Sequence, residues 1–198
     1  MQKHTAEKFL EVAERLFAQR GFDGVSISKI ASALNLTKQA LLHHFGSKEK
    51  LYGLVLKRIS EDYETHQSEF LRQTSNAHAD FINYFMALHD FAHHNTQRTQ
   101  LLMRELLDNN ERAESAGHWY LKPFLRNLID LVKRQTSFID AGDAKSLALA
   151  YQLLGAINYF AISKATLTGI YGRDIYAELR DQDRDQFETL LKICVSQS

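Results

Sequence analysis

Residues 30–52, IASALNLTKQALLHHFGSKEKLY, hold two short apolar segments, a polar interruption, a histidine pair and a helix-start signal. Ser28 can cap a short helix over 28–34, and Thr37 can cap another over 37–44. In each case the hydroxyl accepts a hydrogen bond from an early backbone N–H. Asn35-Leu36 forms the turn between them, and Gly46 stops the second helix as C-terminal glycines commonly do. Ser47 then opens a long helix that runs past Tyr63. Ile30, Ala31, Leu34, Leu36, Leu41 and Phe45 can pack inward against Phe9, Ala13, Phe17 and Phe22. Thr37, Lys38, Gln39, Leu42, His43 and His44 are left projecting outward.

A helix, a tight turn and a second helix with one polar face form a helix-turn-helix. An α-helix about 10–12 Å wide fits the major groove of B-DNA, about 12 Å across. On that reading Gln39 can read an adenine edge, Thr37 and Lys38 can serve phosphate or base, and Leu42 can touch a thymine methyl. Backbone N–H groups near Ser28 and Ser47, with Lys29 and Lys48 beside them, suit phosphates. A plainer reading is a small three-helix domain whose exposed helix simply carries polar residues. Adjacent residues His43 and His44 project roughly 100° apart on a helix. They are therefore poorly placed to share a metal and read as groove-facing or as a partly buried cap.

Working outward, the 198 residues suffice for one large domain or two small ones. Hydrophobic residues at 44% and charged residues at 24% are ordinary for a globular chain. No run of about 18 apolar residues predicts a transmembrane helix, and the amphipathic start MQKHTAEKFLEVAERLF lacks a signal-peptide core. A single cysteine, Cys194, cannot form an internal disulfide, which favours a cytoplasmic setting. The net charge of zero is unevenly spread. Residues 1–60 hold ten Lys/Arg and five Asp/Glu, and residues 61–198 hold fourteen and nineteen. A basic first third on an acidic remainder points the first part toward a polyanion.

Phe9, Val12, Ala13, Leu16 and Phe17 recur at helical spacing up to Gly21. Later helices are predicted over roughly 77–94, 96–109, 118–138, 143–168 and 184–195. The expected fold is all-α, with a DNA-binding domain over 1–50 and a helical ligand-binding and dimerisation domain over 51–198. In the second domain Phe85, His89, Met103, Leu107, Trp119, Phe124, Tyr151 and Asn158 are candidate lining for a hydrophobic or aromatic small-molecule effector, although each alone fits an ordinary core position. Leu147, Tyr151, Leu154, Ala161, Phe187, Leu190, Leu191 and Cys194 form apolar stripes suited to a four-helix homodimer interface. His89 and His93 are four apart, but no further ligand is evident. The segment FAHHNTQR at 91–98 reads as histidines on a solvated face, so no metal site and no cofactor are expected. P-loop, G-x-S-x-G and cysteine-rich zinc patterns are missing, which argues against the alternative of an enzymatic or metal-binding bundle. The other alternative is a DNA-binding regulator lacking an effector, for which the part after residue 50 is larger than needed.

The stretch AEKFLEVAERLFAQRGFDGVSISKIASALNLTKQALLHHFGSKEKLYGLVL, within residues 5–56, resembles the DNA-binding domain of TetR-type transcriptional regulators. The A-x-x-L-F-x-x-x-G-F segment, the S-I-x-x-I-A block and H-F-x-S-K-E-x-L carry the resemblance. It implies a homodimer, a double-stranded palindromic operator and a divergent helical domain that takes an effector, more often in a repressor. By position it places Ser28, Lys29 and Lys48 on backbone phosphates, and Thr37, Lys38, Gln39, Leu42, His43 and His44 at the groove. The family usually has tyrosine where this chain has Leu42, so one hydroxyl contact to the DNA backbone is missing or replaced.

Overall fold

A computed structural model describes residues 2–70, 76–108 and 121–196. Every regular element among these is helical: α1 (Gln2–Arg20), α2 (Ile27–Ser32), α3 (Lys38–Phe45), α4 (Lys48–Phe70), α5 (Ala77–His94), α6 (Thr96–Asp108), α7 (Lys122–Lys133), α8 (Asp143–Ile162), α9 (Lys164–Tyr171) and α10 (Arg173–Ser196). A 3₁₀ turn, Thr136–Phe138, follows α7. No single helix is long and apolar enough to cross a membrane.

The chain divides into two compact units. The first comprises Met1–Asp62 with Gln97–Leu121, and the second Tyr63–Thr96 with Lys122–Ser198. The first unit therefore extends beyond residue 50 and takes in most of α6. Its apolar core joins Phe9, Ala13, Phe17, Ile30, Ala31, Leu41, Leu51, Val55, Ile59 and Leu101. Polar contacts fix α6 there. Arg98 Nε donates to Glu14 Oε1 at 2.8 Å, and its Nη1 lies 2.7 Å from Asp62 Oδ2. Burial alone would lower the Arg98 pKa, but these carboxylates outweigh it and raise it above the usual value. Arg104 donates to the Ala18 carbonyl at 3.1 Å, in the last turn of α1, where a cation suits the helix dipole. Tyr52 donates its hydroxyl to buried Glu105 at 2.7 Å.

Local chemistry sets the element ends. Ser26, rather than Ser28, caps α2, its Oγ accepting from Lys29 N at 3.2 Å, so Ser28 falls within the first turn. Asn35 turns the chain with φ 56°, a left-handed conformation that asparagine tolerates better than most residues. Leu36, expected inside, is 38% exposed beyond that turn. The predicted helix over 143–168 breaks at Ser163. There Ser163 Oγ donates to the Tyr159 carbonyl at 2.5 Å and Ser163 N to the Phe160 carbonyl at 3.0 Å, replacing regular α-helical pairing. The last helix starts at Arg173, well before residue 184, directly after Gly172 at φ 86°.

In the second unit Phe81, Phe85, Leu128, Leu131, Leu153, Ile157 and Leu191 form the centre of the core. Buried Asp80 is held by Arg134 Nη2 at 2.5 Å, and Gln135 Nε2 donates to the Ala77 carbonyl at 3.0 Å. Asp143, at the start of α8, pairs with Arg126 and Lys133.

Gly24 has a demanding position in the first unit, because a Cβ there would lie 2.3 Å from the Arg20 carbonyl oxygen. Gly24→Ala should lower unfolding free energy by about 1–3 kcal/mol, as overpacking against fixed atoms does. Urea denaturation of the two proteins checks this, and coincident curves would contradict it.

Candidate nucleic-acid interface

Helix α3 is eight residues long and is bounded at both ends by specific hydrogen bonds. Thr37 adopts φ −86°, ψ 156°, and its Oγ1 accepts from Ala40 N at 3.2 Å. Gly46, at φ 77°, donates its N–H to the Leu42 carbonyl at 2.8 Å. Ser47 Oγ accepts from Lys50 N at 3.2 Å and starts α4. The inner face of α3 buries Leu41 and Phe45. Phe9 of α1 meets the Phe45 ring edge-on, with centroids 6.0 Å apart.

The opposite face is open. Thr37, Lys38, Gln39 and His43 are exposed, and Leu42 and His44 are half-buried. His44 rests against Phe9 with ring centroids 5.9 Å apart, so it is as much a lid on the core as a groove-facing group. Beside α3 lies an open depression of about 600 Å³, lined by residues 23–29 with Lys38 and Lys48. Three lysines, Lys29, Lys38 and Lys48, thus share one concave surface, with Asp23 as an acidic neighbour. Lys48 is positioned by the Phe22 ring, its Nζ 4.1 Å from the centroid. Ser28 is exposed on the same rim. A row of ammonium groups next to a polar helix face is the arrangement that phosphate backbones and base edges require together. Sequence reasoning missed Ser26, Asp23 and Gly24 as parts of this rim. The close contact that demands Gly24 has no signature in the residue string.

The remaining predicted residues are more scattered. Phe85, His89 and Phe124 are buried in the second unit, with Asn158 half-buried. Met103 and Leu107 belong to the first unit, and Trp119 lies outside the described residues. Leu107 is 73% exposed and Tyr151 45% exposed, so neither lines an enclosed site in this conformation. Of the dimer candidates, Ala161, Phe187 and Leu191 point into their own unit's core, while Leu147, Leu154 and Cys194 are half-buried. Outward apolar residues of α8 and α10 include Tyr151, Tyr159, Ile175, Leu190 and Ile193. Periodicity marks an apolar stripe without saying which edge of it the subunit covers. Burial pushes the Cys194 thiol above its usual pKa, which disfavours the reactive thiolate.

Residues 9–55 match the family model described as bacterial regulatory proteins, tetR family. Over that segment the chain is similar to tetR-family regulators. The HTH-type transcriptional repressor NemR of Escherichia coli K12 is 31% identical over 125 residues, 59% of this chain and 63% of that protein. The chain thus spans a little under two thirds of that relative's length. The biofilm operon negative regulator IcaR of Staphylococcus aureus strain Newman is 30% identical over 80 residues, 40% of this chain and 42% of its own. Solved structures extend the fold likeness across the chain. The regulator FadR of Bacillus subtilis, crystallised with stearoyl-CoA, aligns with TM-score 0.69 at 15% identity, covering 96% of this chain and 97% of that one. A transcriptional regulator of Aquifex aeolicus gives 0.66 at 19%, covering 96% and 98%.

Helix α3 depends on its cap. Thr37→Ala should destabilise the first unit by about 1 kcal/mol, and Thr37→Ser should restore most of that. Denaturant midpoints of the three proteins check this; equal midpoints for the alanine and serine variants would refute the cap's role.

Proposed function

We propose that this protein is a sequence-specific DNA-binding transcriptional regulator acting as a repressor. It binds a palindromic operator as a cytoplasmic homodimer and is released by a hydrophobic or aromatic small-molecule effector taken up in the second unit. The carrying observation is the exposed Thr37–Lys38–Gln39–His43 face of α3 beside the surface shared by Lys29, Lys38 and Lys48. Gln39 reads a base edge, with adenine preferred because its N6 and N7 match a side-chain amide. Thr37, Lys38, Leu42, His43 and His44 complete the groove face. Ser28, Lys29 and Lys48 hold phosphates and set the register of α3 on the duplex. Leu42 offers a methyl contact where the family's tyrosine offers a hydroxyl.

One eight-residue helix covers too few base pairs for useful selectivity, so two copies must act together. A two-fold dimer sets its recognition helices about one DNA turn apart. The exposed Tyr151, Tyr159, Leu190 and Ile193 give that dimer an apolar face on α8 and α10. The names of NemR and IcaR, a repressor and a negative regulator, support the sign of regulation. The stearoyl-CoA in FadR supports an apolar effector in a domain of this fold. Such an effector acts only by binding the non-operator conformation more tightly than the operator-bound one.

Fluorescence anisotropy on DNA from upstream of the protein's own gene, titrated with salt, tests the proposal. Wild type should bind one fragment selectively. Gln39→Ala should weaken that binding by about 1–3 kcal/mol per reading helix while leaving the salt slope unchanged. Binding that ignores sequence, or a Gln39→Ala variant that binds as well as wild type, would contradict it.

A further inference from the structure

His89 and His93 lie one turn apart on α5, and α10 brings Asp183 to them. His89 Nε2 is 2.9 Å from Asp183 Oδ2, and His93 Nε2 is 3.9 Å from the same oxygen. The three ligand atoms lie within 4.8 Å of one another. The imidazoles are stacked with centroids 4.2 Å apart and planes 26° from parallel. The His89, His93 and Asp183 side chains are only 4%, 15% and 25% exposed. The expectation of solvated histidines therefore fails here, because the third group arrives from a helix some ninety residues later in the chain.

The cluster leaves one buried nitrogen without a hydrogen bond. His89 Nδ1 is 3.3 Å from Asp90 Oδ1 while its Nε2 faces Asp183. His93 Nε2 is buried and makes no hydrogen bond among the described residues, whereas buried ring nitrogens normally find a partner. A cation among the three atoms gives His93 Nε2 a partner. Asp90, held by Arg184 Nε at 3.2 Å and Nη2 at 3.3 Å, then accepts the His89 Nδ1 proton. A carboxylate behind a ligating imidazole is the common way to orient such a ligand.

We propose that His89, His93 and Asp183 form a binding site for a divalent first-row transition metal, zinc in the first instance, that ties α5 to α10. Two imidazoles and one carboxylate suit zinc, nickel or cobalt, whereas magnesium and calcium take oxygen ligands. Ligand atoms about 2.0–2.1 Å from a tetrahedral zinc lie roughly 3.3 Å apart. That spacing falls between the two observed separations. Three protein ligands leave a position open for water or a further ligand. The inference does not depend on the DNA-binding reading.

The test uses the full chain, stripped with a chelator and titrated with Zn²⁺ by equilibrium dialysis. Co²⁺ absorption serves as a second probe, and far-UV circular dichroism monitors folding. Wild type should take up a single equivalent of zinc and show ligand-field bands with cobalt. His93→Gln and Asp183→Asn should lose that uptake while remaining helical, and Asp90→Asn should weaken it about 10–100-fold. Asp183 is the most exposed of the three ligands, so Asp183→Asn keeps the test decisive should the His93 variant fail to fold. Absence of stoichiometric uptake by wild type would overturn the proposal. So would folded ligand variants that bind zinc as tightly as wild type, since the metal would then sit on other histidines.

Discussion

The burial of Leu41 and Phe45 against Phe9 is the contact on which the candidate interface depends. Isolated helices shorter than about 12–15 residues are marginal in water, and α3 has eight. Its existence as a helix, and the direction in which Gln39 points, follow from docking its inner face on α1. Thr37 and Gly46 supply the end contacts that a helix this short most needs. The same core places Phe22 and Tyr52 against Phe17, and Phe22 in turn positions the Lys48 ammonium. Apolar packing thus sets the geometry of the charged surface.

Polar contacts have a different part in each unit. In the first, Arg98, Arg104 and Glu105 bind α6 to α1 and α4 through partners separated by more than thirty residues in the chain. Arginine suits that task because its planar fork can serve two acceptors at once, as Arg98 does with Glu14 and Asp62. In the second unit the concentration of polar groups lies between α5 and α10. Burial opposes ionisation of Asp90, but hydrogen bonds from Arg184 and His89 win and hold its carboxyl below the usual range. His93 is pushed the other way: burial, then the neighbouring His89, lower its pKa and favour the neutral ring.

The sequence was most legible where function requires a local pattern. The cap at Thr37, the stop at Gly46, the start at Ser47 and the outward residues of α3 all lie within a few positions of each other. Their hydrogen bonds are between near neighbours in the chain. The Ser26 cap was missed because Ser26 and Ser28 are equally good capping residues, and the choice is made by how α2 docks. The break at Ser163 was missed for a related reason: a serine inside an apolar helix is tolerated unless its hydroxyl turns back on the preceding carbonyl. The long-range features left almost no trace in the string. Nothing in FAHHNTQR announces Asp183, and the stripe containing Phe187 and Leu190 does not say which residue faces its own core. Contacts that join distant segments are decided by packing, and periodicity reports only that a face is apolar.

Two copies of α3 on one operator, as proposed, should leave a two-fold symmetric mark on the DNA. Footprinting of the wild-type protein on DNA upstream of its own gene should show paired protected half-sites whose centres are about one helical turn apart and related by a dyad. Protection of a single asymmetric site, or uniform coating of the fragment without a boundary, would contradict it.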